Sequence, residues 1–195
     1  MSAASVAAPG KIGEAIPKTI VLVGLMGAGK SCIGRELARL YGLPFTDADA
    51  EVEAAAGCPI EDIFERYGEQ AFREGERRVI SRLLDQPTQV LATGGGAFMD
   101  PRTRDRIRGR AISVWLRADI DLLVQRVGRR GKRPLLKTDE PRKVLERLIE
   151  ERYPVYAEAD LTVETTHEAP AATVARVDQA IESYLAGCRP PGEAP

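Results

Sequence analysis

One stretch, VLVGLMGAGKSCIG at residues 21–34, constrains this chain more than any other. A β-branched run, Thr19–Val23, lies between Pro17 and Gly24 and reads as a short buried strand. Directly after it, Gly24-Leu-Met-Gly-Ala-Gly29-Lys30-Ser31 fits G-x-x-x-x-G-K-[ST] without a mismatch. From Lys30 onward, Ile33, Leu37, Ala38, Leu40 and Tyr41 recur at helical spacing until Gly42 stops them. A glycine loop between strand and helix turns successive N–H groups inward around an anion, with the positive end of the helix behind them. Lys30 can then reach the β/γ-phosphates, and the Ser31 hydroxyl can ligate Mg²⁺. A nucleoside triphosphate site on an α/β fold follows. The acceptor of the phosphate does not.

The rest of the chain repeats the alternation. Short apolar strands are expected in LPFTDAD, which ends in acids, QVLAT, AISVWL and LTVET, with helices at 50–56, 60–67, 69–84, 101–108, 119–127, 141–153 and 170–185. Strands that are continuously apolar and separated by helices indicate a parallel sheet covered on both faces. The segment 128–140 is charged and carries glycines and a proline, so it reads as a long loop of the kind used as a lid.

At 195 residues the expected division is an N-terminal arm (1–17), one domain (18–186, lid at about 126–140) and a tail (187–195). A net charge of −1 supplies no basic field for nucleic acid or anionic lipid. No apolar run nears the ~20 residues that span a bilayer. The alanine-rich arm lacks the charged and apolar regions of a secretory signal. Cys32, Cys58 and Cys188 are odd in number and have no metal-ligand spacing, which fits a reducing compartment. A cytoplasmic protein, binding neither nucleic acid nor membrane, is expected.

Several residues suggest an acceptor site. Asp47 and Asp49 are expected at the carboxyl end of the second strand, facing the ligand crevice, where one carboxylate can support Mg²⁺ and the other a substrate hydroxyl. Arg73 and Glu76 in AFREGE share a helix face. Gly94, Gly95 and Gly96 expose backbone amides and permit close approach of a ligand. Arg126, Arg129, Arg130, Lys132 and Arg133 suit a lid that brings cations onto a transferring phosphoryl group. Each also has a plain reading. DAD can be a helix cap, Arg73–Glu76 a surface ion pair, and Arg152 a cation favoured at a helix end. The lone histidine, His167, reads as an exposed loop residue.

Taken together, GLMGAGKS, DAD, FREGE, TGGG, RPLL, RYPVYAEAD and VETTHEAP occur in the order and at the spacing of the shikimate kinase family, which the chain resembles over about residues 18–185. The resemblance implies an α/β fold, a P-loop three-layer sandwich of the nucleoside-monophosphate-kinase type. Its five-stranded parallel sheet would have order 2-3-1-4-5, with a helical substrate-binding region and a short lid. It implies transfer of a phosphoryl group from ATP to the 3-hydroxyl of shikimate, in aromatic amino-acid biosynthesis. Lys30, Asp49 and Arg133 would be catalytic. Gly27, Ala28, Gly29, Lys30, Ser31, Cys32, Arg126, Arg133 and His167 would bind ATP. Asp49, Arg73, Gly95, Gly96 and Arg152 would bind shikimate, with Glu76 orienting Arg73. One Mg²⁺ per subunit would sit on Ser31, supported by Asp47 through water. A monomer with ATP and shikimate as its partners is expected. A gluconate-type kinase on the same scaffold, a nucleoside monophosphate kinase and a non-catalytic ATP sensor are the alternatives. The sensor would have no use for Asp49, Arg73, Arg133 and Arg152 together.

Overall fold

The computed structural model describes residues 16–128 and 140–188; most of the expected tail, nearly all of the arm and most of the lid, Arg133 included, lie outside the described residues. Among the described residues five strands form one parallel sheet in the order β2-β3-β1-β4-β5: β1 (Thr19–Val23), β2 (Phe45–Asp47), β3 (Val90–Ala92), β4 (Ala111–Ala118) and β5 (Leu161–Thr165). Helices cover both sides, as continuously apolar central strands require. β1 lies between β3 and β4, and Ile20, Val21, Leu22 and Val23 are wholly buried there.

The helices are α1 (Lys30–Tyr41), α2 (Ala48–Ala56), α3 (Ile60–Leu84), α4 (Pro101–Arg110), α5 (Ile120–Gly128), α6 (Pro141–Tyr156) and α7 (Pro170–Cys188). α1 packs on α7 through Ile33, Leu37, Val177 and Ile181, which are buried. Tyr41 Oη donates to Asp178 Oδ1 at 2.8 Å across that pair. Burial, with Asp178 beside it, raises the Tyr41 phenol, so it stays a donor.

The departures from the expected boundaries have local causes. The two helices expected at 60–67 and 69–84 run on as one α3, broken only by Gly68 at φ 78, a left-handed conformation that favours glycine. α2 starts at Ala48 because the Asp47 carboxylate caps it, accepting the Asp49 N–H at 3.2 Å. Asp49 therefore sits in the first turn of a helix and not on the strand. α6 continues to Tyr156 with Pro154 inside its last turn. A 3₁₀ turn, Ala97–Met99, follows the three glycines.

Candidate active site

The sheet's carboxyl edge gathers the sequence candidates. At the end of β1 the glycine loop leads into α1, and Gly29 takes φ 101 to make the turn. Lys30 Nζ donates to the carbonyls of Gly24 and Leu25 at 2.8 and 3.1 Å, so its ammonium lies folded over the loop. Ser31 Oγ donates to Asp47 Oδ2 at 2.7 Å. That pair offers two hard oxygen donors at the mouth of the loop. Among the described residues no group of three His, Cys, Asp or Glu could hold a metal ion. One hydroxyl and one carboxylate suit Mg²⁺, which keeps several waters and takes its remaining ligands from phosphates.

On one side of the loop lies a cleft lined by Gly27, Ala28, Gly29, Cys32, Arg126 and Pro170, among others. Arg126 spans it, donating to the carbonyls of Gly27 and Ala28 at 3.2 and 3.3 Å and to that of Thr166 at 2.9 Å. The loop after β5 is braced in turn by Glu168, which accepts from Thr166 Oγ1 at 2.9 Å and Arg176 at 2.7 Å. His167 is exposed on this loop and does not line the cleft, although Thr165 and Pro170 beside it do.

On the other side, Lys30, Ser31, Asp47, Asp49, Thr93 and Gly95 border a polar pocket next to the loop. A wider groove beyond it is lined by Arg73, Gly96 and Arg152. Arg73, from α3, donates to Glu76 Oε2 at 2.7 Å. Its guanidinium lies hard against the Cα of Gly96, so close that a Cβ there would overlap it. Arg152, from α6, donates to the Gly95 carbonyl at 3.0 Å. Two arginines from separate helices thus meet at neighbouring glycines.

Glu76 is buried, at 3% exposure, and its Oε1 has no hydrogen-bond partner among the described residues. Burial raises its carboxyl above the ordinary carboxylate range, while Arg73 pulls in the opposite direction. A Cβ on Gly94 would stand 2.7 Å from that Oε1 and 2.6 Å from Asp49 Oδ1. The two carboxylates therefore face each other across the bare Cα of Gly94.

All the sequence candidates among the described residues except the exposed His167 come together here. Two residues were missed. Gly94 was left out when the family resemblance assigned Gly95 and Gly96 to the substrate, and nothing in three consecutive glycines shows which of them the Asp49 and Glu76 carboxylates face. Tyr156, whose hydroxyl donates to the Gly95 carbonyl, lay beyond the expected end of its helix.

The shikimate kinase family model matches residues 26–182. The chain belongs to the shikimate kinase family. Similar proteins of that name come from Paramagnetospirillum magneticum, 62% identical over 170 residues and 87% of each chain, and from Caulobacter vibrioides, 63% identical over 148 residues, 76% of this chain and 74% of that one. A shikimate kinase of Acinetobacter baumannii solved in complex with shikimate is 40% identical, with a TM-score of 0.83 over 87% of this chain and 95% of its own. As a member of this family the enzyme is a kinase that phosphorylates shikimate with ATP, in aromatic amino-acid biosynthesis. The sheet order 2-3-1-4-5 is the one the family resemblance implied.

Proposed function

We propose that the residues gathered at the sheet's carboxyl edge carry out this reaction as follows. The observation that carries the assignment is the meeting of Arg73 and Arg152 at Gly95–Gly96, one residue from the Gly94 position that Asp49 faces. A carboxylated, hydroxylated ring matches that layout, with two forked cations for the carboxylate and one carboxylate plus backbone amides for the hydroxyls.

The loop amides of Gly27 to Ser31 hold the β- and γ-phosphates, and Lys30 moves from the loop carbonyls onto them. Cys32, Arg126 and the loop containing His167 border the adenine. Ser31 would hold one Mg²⁺, supported by Asp47 through water, and the bound ion would neutralise charge on the phosphates. Arg73 and Arg152 take the shikimate carboxylate, with Glu76 keeping Arg73 extended along α3. Asp49 accepts a hydrogen bond from the 3-hydroxyl and points its oxygen at the γ-phosphorus. The oxygen–phosphorus bond forms as the bond from the γ-phosphorus to the bridging oxygen breaks, ADP departs, and the hydroxyl proton leaves towards Asp49. The transition state is loose, so orientation by Asp49 matters before its basicity does. By the family resemblance Arg133, outside the described residues, supplies a further positive charge.

A single domain at 18–186, acting as a monomer in the cytoplasm, is part of the same reading. Among the described residues no helix is long and apolar enough to cross a membrane.

The test is ADP release by purified protein with Mg·ATP and, in turn, shikimate, gluconate, AMP or no acceptor. A rate seen with shikimate and absent from the other arms supports the assignment. Hydrolysis indifferent to the acceptor, or none at all while ATP still binds, removes the account of the acceptor side.

A further inference from the structure

The three-glycine loop has an unusual division of hydrogen bonds. The Gly94 carbonyl accepts from the Ala97 N–H at 3.2 Å and the Gly96 carbonyl from the Met99 N–H at 3.0 Å, both within the loop's own turn. The Gly95 carbonyl is bound from outside, by Tyr156 Oη and by Arg152 at 3.0 Å. Among the described residues none of the three glycines donates its N–H to another protein group.

In a trans peptide the carbonyl of one residue and the N–H of the next point in opposite directions. Whatever grips the Gly95 carbonyl therefore sets where the Gly96 N–H points. With no Cβ on either side, that peptide plane can rotate with little steric resistance. A run of three glycines needs a pin from elsewhere in the fold.

Arg152 is a poor sole pin, since its guanidinium is also the group that must take the substrate carboxylate. Tyr156 is better placed. It is wholly buried, with Phe98, Tyr153 and Trp115 around its ring at centroid distances of 6.4, 6.3 and 6.0 Å. Burial pushes its phenol up to about 12, the nearby Arg152 pulling the other way, so the hydroxyl remains a donor at neutral pH.

We propose that Tyr156 is a positioning residue for the acceptor: its hydroxyl fixes the Gly95–Gly96 peptide plane and so sets the direction of the Gly96 N–H, opposite the carbonyl that Tyr156 and Arg152 grip, on the acceptor side of the loop. The proposal rests on the reading that Gly95, Gly96 and Arg152 bind shikimate. A core tyrosine that merely satisfies its hydroxyl would look similar in place but would not report on substrate.

The experiment compares Tyr156→Phe and Arg152→Lys with the wild type in steady-state kinetics, varying shikimate and Mg·ATP separately, with thermal unfolding alongside. Tyr156→Phe keeps the ring and leaves the Gly95 carbonyl bound to Arg152. Losing one buried hydrogen bond should raise the KM for shikimate roughly three- to ten-fold and leave that for Mg·ATP within about two-fold. A lowered unfolding midpoint with both KM values unchanged, or both raised alike, overturns the proposal. If Arg152→Lys raises the shikimate KM and Tyr156→Phe does not, the tyrosine assignment alone falls. If Arg152→Lys also has no effect, the reading of the acceptor site falls with it. An independent check needs no variant: in isotope-labelled-glycine NMR of the wild type, shikimate should shift the Gly96 amide resonance, and a stationary resonance overturns the proposal.

Discussion

Replacing Gly94 by alanine separates folding from function at this site. The backbone should accept the change, because Gly94 is not among the glycines at positive φ. The new methyl has nowhere to go: its carbon would stand 2.6 Å from Asp49 Oδ1 and 2.7 Å from Glu76 Oε1. Ordinary contact begins near 3.4 Å, so the Asp49 carboxylate must retreat by about 0.8 Å or that of Glu76 by about 0.7 Å, or both. Glu76 is buried and held by Arg73 at 2.7 Å, whereas Asp49 is exposed, so Asp49 yields. Because both obstacles are ends of side chains, stability changes little, and alanine offsets part of the strain by narrowing the unfolded ensemble, worth about 0.4–1 kcal/mol. Catalysis is less forgiving, since a shift approaching 1 Å at a reacting group lowers the rate by up to about 10²-fold. Gly94→Ala should therefore retain a near-wild-type unfolding midpoint and ATP affinity while kcat falls roughly ten- to hundred-fold. Coupled ADP-release kinetics at saturating shikimate, with a thermal melt on the same preparation, make the comparison. A kcat within about three-fold of wild type would show that Asp49 is not placed by this contact, and the reasoning would be wrong.

Three further outcomes are expected. In Gly34→Ala a methyl on α1 would come within 2.6 Å of the Phe45 ring and 3.1 Å of Leu22, overpacking that should remove about 1–3 kcal/mol and lower the midpoint by several degrees with kinetics unchanged; an unshifted melt would contradict it. Arg73→Lys keeps the charge and loses the fork, so the KM for shikimate should rise at least about ten-fold while that for Mg·ATP stays constant; equal changes in both would argue against a carboxylate role. Glu76 holds its proton more tightly in the folded protein than at the ordinary value of 4.5, because burial outweighs Arg73. Its stabilising contribution is thus full below pH 4.5 and is lost as pH rises through the raised value. The wild-type midpoint minus that of Glu76→Gln should shrink as a thermal-melt series climbs from pH 4.5, and a pH-independent difference would refute this.

How much of this was legible in the chain depends on the distance over which each feature is decided. The phosphate loop is decided within eight consecutive residues, where glycine freedom, one lysine and one serine set the geometry locally, and it stands as read. Gly68 was legible for the same reason: an isolated glycine between two helical patterns marked the place where α3 bends. Asp49 was misplaced by a local competition, in which the Asp47 cap extended α2 backwards over residues expected to be strand. The contacts of Arg73 with Gly96 and Arg152 with Gly95 are of another kind. They join residues that meet only because β3, α3 and α6 converge on one edge of the sheet, and no periodicity encodes that; the family resemblance alone anticipated it. Tyr156 falls between these cases. Pro154 stands just past the expected end of α6 at Tyr153, and an interior proline forfeits one backbone bond and strains the turn, about 3 kcal/mol in an exposed helix. In the last turn few bonds remain to be lost, and burying the Tyr156 ring returns about 1.5–3 kcal/mol. The deciding signal was present in the stripe Leu145, Leu148, Arg152 and Tyr156, which keeps helical spacing straight through the proline. Where a stripe persists across a breaker near a helix end, its periodicity is the better guide, and here it leads to the hydroxyl that holds the glycine loop.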